Sequence, residues 1–333
     1  MVPFSRNRLR QGQEVLFQLA RRARVGKALL RYKTWQATGA RAILKTAYIK
    51  RTLLPRIFKA QPIPSQNGLE VHMLLNHPRV LEAAWCLYSF AYFLKEPCHF
   101  IIHDDGSLDD FDNACLKRLF PGIQFIRRKE ADAHVLGELA RRNLTKCVRF
   151  RRNFIFSLKL IDPHFYSNAD YFLMLDSDIL TYRNPKRIAE HWARRECFFS
   201  EDNGYRACVS PVEFERLAGI PPPTINCNAG LLGASKTLVD LDLIEDWLES
   251  PSFWQVPYER PSYYAEQTIW SLLMARGRAA GLGSGYDISA TDLEAENIIS
   301  GHYCGGGWWS ALFYCRGLPY LARQLSQAGV FST

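Results

Sequence analysis

The chain has 333 residues, 47% hydrophobic and 23% charged, which excludes a disordered or collagen-like polymer and leaves enough chain to bury a sizeable core. The net charge of +9 is unevenly placed: residues 1–60 hold 15 Lys and Arg against one acid, Glu14, leaving 27 basic and 32 acidic residues, about −5, for residues 61–333. The basicity belongs to an arm, so a nucleic-acid-binding role for the rest of the chain is disfavoured.

Nine cysteines form no C-x-x-C pair and fall singly, several on apolar stretches (Cys86, Cys98, Cys147, Cys208), a pattern that predicts buried thiols, a reducing compartment and no zinc site. The start, MVPFSRNRLRQGQEVLF, has no continuous apolar run after its charges and is not read as a secretory signal. The apolar stretch from Val80 to Leu94 contains Glu82 and falls short of the ~20 residues a membrane span needs. A cytoplasmic location is expected, peripheral on a membrane if the arm binds lipid. Asn143-Leu144-Thr145 would be glycosylated only in a secretory lumen.

In chain order, residues 13–59 interleave Val15, Leu16, Leu19, Leu29, Leu30, Ile43, Leu44 and Ile49 with Arg and Lys, close to the pattern of amphipathic helices. Such an arm, residues 1–60, either lies on an anionic membrane or packs on the main domain with its basic face in water. Gln61 to Gly68 reads as a linker. LEVHMLLN then predicts a strand, Arg79–Leu94 a helix, HFIIH a strand, Leu108–Leu119 a helix and IQFIRR a strand. Helices are expected over Ala133–Arg142 and Cys147–Ile161, and an apolar strand over Tyr171–Leu175. This alternation argues for an α/β domain built on a parallel, doubly wound sheet, whose ligands bind beyond the carboxyl ends of the strands. The proline triplet at 221–223 predicts a rigid loop. Asn226–Ala234, helices near Thr237–Glu249 and Ala265–Arg276, and the Gly-rich GHYCGGGWW follow, and this half is expected to build the other side of the ligand site.

YFLMLDSDILTYRNP is the most informative stretch, because an apolar strand delivers two carboxylates one residue apart. Residues two apart on an extended segment face the same side, so Asp176 and Asp178 can converge on one cation. A pair of strand-end acids can also simply cap a turn. The alternating βα context, with NCNAGLLG, AEQTIW and GHY downstream, favours the metal.

With these motifs in this order, the chain resembles the nucleotide-diphospho-sugar transferases of the GT-A fold, and is most similar to the retaining glycogenin and lipopolysaccharide galactosyltransferase group. The matched elements are DSD at 176–178, NAG at 228–230, the pair Glu266 and Gln267, and His302; the resemblance covers roughly residues 69–310, within a GT-A domain drawn at 69–320. It implies a mostly parallel Rossmann-like sheet, a nucleotide-sugar donor with UDP preferred, and a divalent cation held by Asp176, Asp178 and His302. An imidazole beside carboxylates tilts the expected ion from Mg²⁺ toward Mn²⁺. The resemblance also puts Asn228 and Ala229 at the donor sugar, with Gly230 letting backbone approach, Gln267 near the anomeric carbon, and Glu266 on a sugar hydroxyl.

The chain departs from that group where GGGWW replaces a Lys-Pro-Trp segment, so the diphosphate needs another cation. Lys159 is preferred among Arg149, Arg152 and Lys159, although such charges also suit a solvated helix face. Trp308 and Trp309 suit either sugar stacking or core packing. Asp104 or Asp105 could accept a ribose hydroxyl, Asp105 being retained, although Asp105-Gly106 is also a natural turn with Ser107 or Asp109 as N-cap. Retention needs electrostatic support at the anomeric centre. Inversion needs a carboxylate base, for which Glu266, Asp246 and Asp287 are candidates. The acceptor, whether glycan, lipid-linked glycan or protein, leaves no short motif. A sugar nucleotidyltransferase would need a Gly- and Arg-containing loop where LLNHPRV stands, and a non-catalytic basic membrane- or nucleic-acid-binding protein leaves DSD unexplained.

Overall fold

The computed structural model describes residues 26–202, 204, 207–220, 227–255, 260–288, 290–295, 297–305 and 308–331, without the side chains of 26–38 and 308–309. The expectations for Val15, Leu16, Leu19, Leu29, Leu30, the 221–223 loop, Asn226 and the side chains of Trp308 and Trp309 lie outside the described residues.

The arm enters as helix α1 (Gly26–Thr52), kinked at Gly39, whose φ of 74° is open to glycine at little cost. A 3-10 turn, Leu54–Lys59, follows. Ile49, Leu54, Ile57 and Ala60 join the core that backs the sheet, and Trp85 Nε1 donates to Leu54 O at 2.8 Å. In the described half of the arm, Ile49 therefore packs inward with Leu54 and Ile57, while Leu44 faces water together with Arg41, Lys45 and Arg51.

Strand β1 (Leu69–Leu75), helix α2 (Val80–Leu94), strand β2 (Cys98–Asp104), helix α3 (Asp110–Leu119) and strand β3 (Gln124–Ile126) form the first alternating run. β1 and β2 pair in parallel from Leu69 opposite Cys98 to Leu75 opposite Asp104. Both strands are covered on two faces: Leu69, Val71, Met73, Phe100 and Ile102 enter the apolar core, while Glu70, His72 and His103 are buried as polar groups that need partners of their own. α3 starts two residues later than the sequence predicts, because Asp109 and Asp112 form a reciprocal capping box there. α4 (Arg128–Arg141) starts earlier than Ala133, its first turn tied by Arg128 Nε to Asp132 Oδ1 at 2.7 Å. The single helix expected over Cys147–Ile161 is two, α5 (Thr145–Asn153) and α6 (Ser157–Tyr166). Phe154 breaks it by turning extended, φ −140° and ψ 110°, with its ring 5.5 Å from Phe150.

Strands β4 (Tyr171–Leu175) and β5 (Ile179–Thr181), helix α7 (Lys186–Arg194), strand β6 (Phe198–Glu201), helix α8 (Pro211–Ala218) and strand β7 (Cys227–Ser235) come next. A 3-10 turn at Lys236–Leu238 and helix α9 (Leu241–Trp247), capped by Asp240, replace the one helix expected over Thr237–Glu249. The short ribbon of β8 (Trp254–Gln255) and β9 (Arg260–Pro261) leads into α10 (Ala265–Arg276), then β10 (Ala280–Gly281), β11 (Tyr286–Ile288), β12 (Ser300–His302), α11 (Trp308–Leu312) and α12 (Leu318–Gln327). The main sheet runs β10-β6-β7-β4-β1-β2-β3, and in it only β7 opposes its neighbours. It is thus mostly parallel, with helices on both faces. A second sheet, β11-β12-β5, stands beyond the carboxyl end of β4. No helix among the described residues is long and apolar enough to cross a membrane.

Side chains alternate across β4, Leu173 and Leu175 joining one core and Phe172 and Met174 the other. The second core holds a buried polar patch. Arg151, with no exposed side-chain surface, sends Nε to Asp162 Oδ1 at 2.7 Å and also reaches Asp132, while Glu70, His72 and His103 form a chain of contacts at 2.9 and 2.8 Å.

Candidate metal centre

β4 stops at Leu175, and the two carboxylates stand on the turn beyond it, closed by Ile179 N donating to Asp176 O at 3.2 Å. Their convergence is made by this turn rather than by the strand alternation expected from the sequence. The turn is fixed on two sides. Asp176 N donates to Gly230 O at 2.8 Å, and Tyr303 N donates to Asp178 O at 3.0 Å. β12 then runs antiparallel to β5 with His302 opposite Ile179, which swings the imidazole across the turn.

His302 Nε2 lies 3.1 Å from Asp178 Oδ1 and 3.9 Å from Asp176 Oδ2. One ligand atom from each of the three residues falls within 4.8 Å of the others. His302 is buried, yet neither ring nitrogen has a hydrogen-bond partner of good geometry. A buried polar group without a partner is costly, so the orphaned imidazole is itself an indication of a ligand. Burial pulls the His302 pKa down, but the Asp178 and Asp176 carboxylates more than offset it and the net direction is up. Burial likewise raises Asp178, and His302 first, then Arg79 and Lys159, bring it below the usual carboxylate range. Two hard carboxylates and one imidazole suit a divalent ion such as Mn²⁺.

Gly230 makes the cluster possible. A Cβ built there would overlap His302 Cε1 and sit 2.8 Å from Asp176 Oδ2. Asn228 turns its own Oδ1 back to Gly230 N at 2.8 Å, and Ala229 is buried between them on β7. Lys159, one turn into α6, reaches the middle of the site with its ammonium 2.8 Å from Asp176 Oδ1 and 3.8 Å from Glu266 Oε1. Burial would depress the amine, but the Asp176 and Glu266 charges hold it above its ordinary range. The Glu266 carboxyl is pushed up to about 7 by burial, against the pull of Lys159, and its Oε1 has no hydrogen-bond partner. Next to it, Gln267 Nε2 donates to Cys227 O at 3.1 Å.

Asp176, Asp178, His302, Gly230, Lys159 and Glu266 thus meet, with Asn228 and Ala229 at the start of β7 and Gln267 of α10 bound to that start through Cys227 O. Asp105 does not join them: its Oδ1 accepts from Ser107 N at 2.9 Å in the turn after β2. The Arg149 guanidinium lies 4.4 Å over the Trp254 ring, and Arg152 is exposed on α5. Asp246 is exposed on α9 near Lys146, and Asp287 lies on β11 opposite Gly301. Two neighbours escaped sequence reasoning. Cys86 Sγ donates to Asp176 O at 3.2 Å, and Arg79, about one-third exposed, is held 3.9 Å from Glu82 where its charge is felt by Asp178. Arg79 closes the short HPR turn after β1, and only its place at a strand's carboxyl end could have flagged it.

Fold and cluster define an α/β protein with a candidate divalent-metal centre at the carboxyl end of a mostly parallel sheet. No protein-family model and no curated protein matches the chain. Solved structures similar to it include glycosyltransferases. The galactosyltransferase LgtC, in complex with donor and acceptor sugar analogs, is 16% identical, with 80% of this chain and 97% of that one covered and a TM-score of 0.49. Mouse xyloside xylosyltransferase 1 in its apo form is 12% identical, with 72% and 97% covered and a TM-score of 0.45. The bifunctional glycosyltransferase WbbM, also apo, is 8% identical, with 76% and 51% covered and a TM-score of 0.44.

Proposed function

We propose that the chain is a divalent-metal-dependent glycosyltransferase that moves a sugar from a nucleotide diphosphate donor to an acceptor hydroxyl. The observation that carries this is the Asp176, Asp178 and His302 triad, its ligand atoms within 4.8 Å and neither imidazole nitrogen in a hydrogen bond of good geometry, at the carboxyl end of the sheet. Asp176, Asp178 and His302 would hold Mn²⁺, or Mg²⁺, which supplies Lewis-acid neutralisation of a departing diphosphate. Lys159 supports the same reading, since its ammonium can leave Asp176 for a phosphate oxygen once a cation takes the carboxylate. Asn228, Ala229 and Gly230 give the donor sugar the buried start of a strand, and Gln267 a carboxamide beside it. Asp105 would meet the ribose. The acceptor belongs to a glycan, a lipid-linked glycan or a protein. Nine unpaired thiols support a reducing, cytoplasmic compartment, and the basic arm gives peripheral membrane contact a place.

Retention is the proposed stereochemistry, with Gln267 and Glu266 supporting the anomeric centre electrostatically. Inversion has a candidate base in Glu266, whose buried Oε1 has no hydrogen-bond partner and lies 3.8 Å from the Lys159 ammonium, with burial raising its carboxyl toward neutral pH. The anomeric configuration of the product, read by NMR, decides between them. The central test is Mn²⁺-dependent hydrolysis of UDP-sugars by the wild type and Asp178→Ala. Hydrolysis that the substitution abolishes supports the enzyme, whereas no hydrolysis of any nucleotide sugar, with no thermal shift on adding one with Mn²⁺, sinks it.

A further inference from the structure

We infer that the outer face of α1 docks on an anionic lipid surface, a conclusion that stands independently of the catalytic reading. Beyond the kink at Gly39 the helix carries two unlike stripes. Ala42, Thr46, Ile49 and Leu53 recur at helical spacing and turn toward the domain. Cys315 Sγ meets Ala42 O at 3.6 Å and Thr46 Oγ1 at 3.7 Å, and Ile49 is buried. The opposite stripe holds Arg41, Leu44, Lys45, Tyr48 and Arg51, all exposed. Leu44 and Tyr48 stand one turn apart with 70% and 65% of their surface in solvent.

The cations of this stripe differ from their inward neighbour. Lys50 turns back to within 3.9 Å of Glu82 and 4.5 Å of the Tyr314 ring, whereas Arg41, Lys45 and Arg51 make no ion pair with any described residue. A helix that had only to stay in water would mix acids with its bases and pair them three or four residues apart. Residues 15–60 contain no acid at all.

Exposed apolar side chains flanked by unpaired cations are what an interfacial helix offers to anionic headgroups: the apolar groups enter the headgroup boundary while Lys and Arg stems lie along it. Tyr48 adds a ring with a polar tip, suited to headgroup level. An acidic protein or a nucleic acid would use the cations but leave Leu44 and Tyr48 without a role; lipid uses both. The inner stripe makes the contact consequential. α1 packs on α11 and the turn Phe313–Gly317, the segment that follows the His302 loop, so lipid contact would hold this side of the candidate centre toward the bilayer.

The test is flotation of the full chain with phosphatidylcholine vesicles, with and without phosphatidylglycerol, for the wild type, Leu44→Ser/Tyr48→Ser and Arg41→Glu/Lys45→Glu. The wild type should float only with the anionic vesicles. Each double variant should lower the bound fraction about tenfold, with its melting temperature unchanged because the altered side chains are exposed. Equal binding to neutral vesicles, no flotation of the wild type, or variants that bind as well as the wild type would overturn the proposal. So would tighter binding to a DNA duplex that Leu44→Ser/Tyr48→Ser leaves untouched. UDP-sugar hydrolysis by the same preparations keeps the two readings apart, since flotation without hydrolysis sinks only the catalytic one.

Discussion

Gly230 shows how one missing side chain sets the geometry of the candidate centre, since its α-hydrogen occupies the space where a Cβ would press on His302 and Asp176. Gly230→Ala should lower Mn²⁺ affinity about tenfold or more by displacing the imidazole, in the range seen when a ligand's support is removed. Titration calorimetry with Mn²⁺ checks this, and unchanged affinity would mean that His302 is not a ligand. Glu266 yields a prediction for the metal-free protein. Its pKa is about 7 when folded against 4.5 for the free side chain. An acid shifted upward by folding favours the folded state only while protonated. Its contribution is therefore complete below pH 4.5 and fades as pH climbs through 7, by about 3 kcal/mol in all. Glu266→Gln should flatten the stability profile across that interval in urea titrations without metal; a profile as steep as the wild type's would rule out Glu266 as its source. Arg79 is the cation the sequence left unread, because HPR looks like an ordinary turn. On the proposed reading, with Lys159 as the diphosphate's first cation, Arg79, whose charge Asp178 feels, is a second: Arg79→Met should weaken UDP binding about tenfold, one lost charge-assisted contact, while Mn²⁺ affinity holds.

Among elements, β4 is legible because a strand buried on both faces writes itself as an apolar run, β1 and β2 because short apolar stretches (MLL, FII) alternate with helices, and α2 and α10 because a buried helix is apolar at greater length. β5 and β12 are not, being three residues each and held by pairing with partners more than a hundred positions away. Yet that pairing brings His302 to the aspartates, so its ligand role came only through a resemblance. The α5–α6 break was equally hidden: FIFS continues a helical pattern, and only packing shows Phe154 extended so that α6 can aim Lys159 at Asp176. Arg151 is the fully buried arginine of that run, and nothing in the sequence sets it apart from Arg149 and Arg152. Paired with Asp162 and Asp132, it ties α5 to α6 and α4. Arg151→Met should cost about 3–5 kcal/mol, since Asp162 is left charged and buried. Adding Asp162→Leu should restore much of the loss, and a double variant no more stable than the single one would assign the role of Arg151 to its aliphatic packing.

Across the molecule, the arm and the sheet share one core despite the change in composition near residue 60. Charge divides the sequence there, but burial does not: Ile57 is fully buried and Leu54 nearly so, in the same cluster as Val71, Trp85 and Leu173. Hydrophobic burial is indifferent to the sign of the charges outside it, so a basic stretch can belong to a domain whose remainder is acidic. Ile57→Ala tests the integration. If the turn Leu54–Lys59 were a detachable appendage, the loss would be confined to a separate, earlier transition and the sheet would unfold as before. If it is part of the core, the substitution should cost the whole fold about 2–5 kcal/mol, as for other buried large-to-small changes. Far-UV circular dichroism and the fluorescence of Trp85, which donates to Leu54 O, read with the other seven tryptophans replaced by Phe, should then move together to lower urea in one transition. Transitions that separate, with fluorescence leading and the sheet signal unmoved, would show that residues 54–60 dock on the domain without being part of its core.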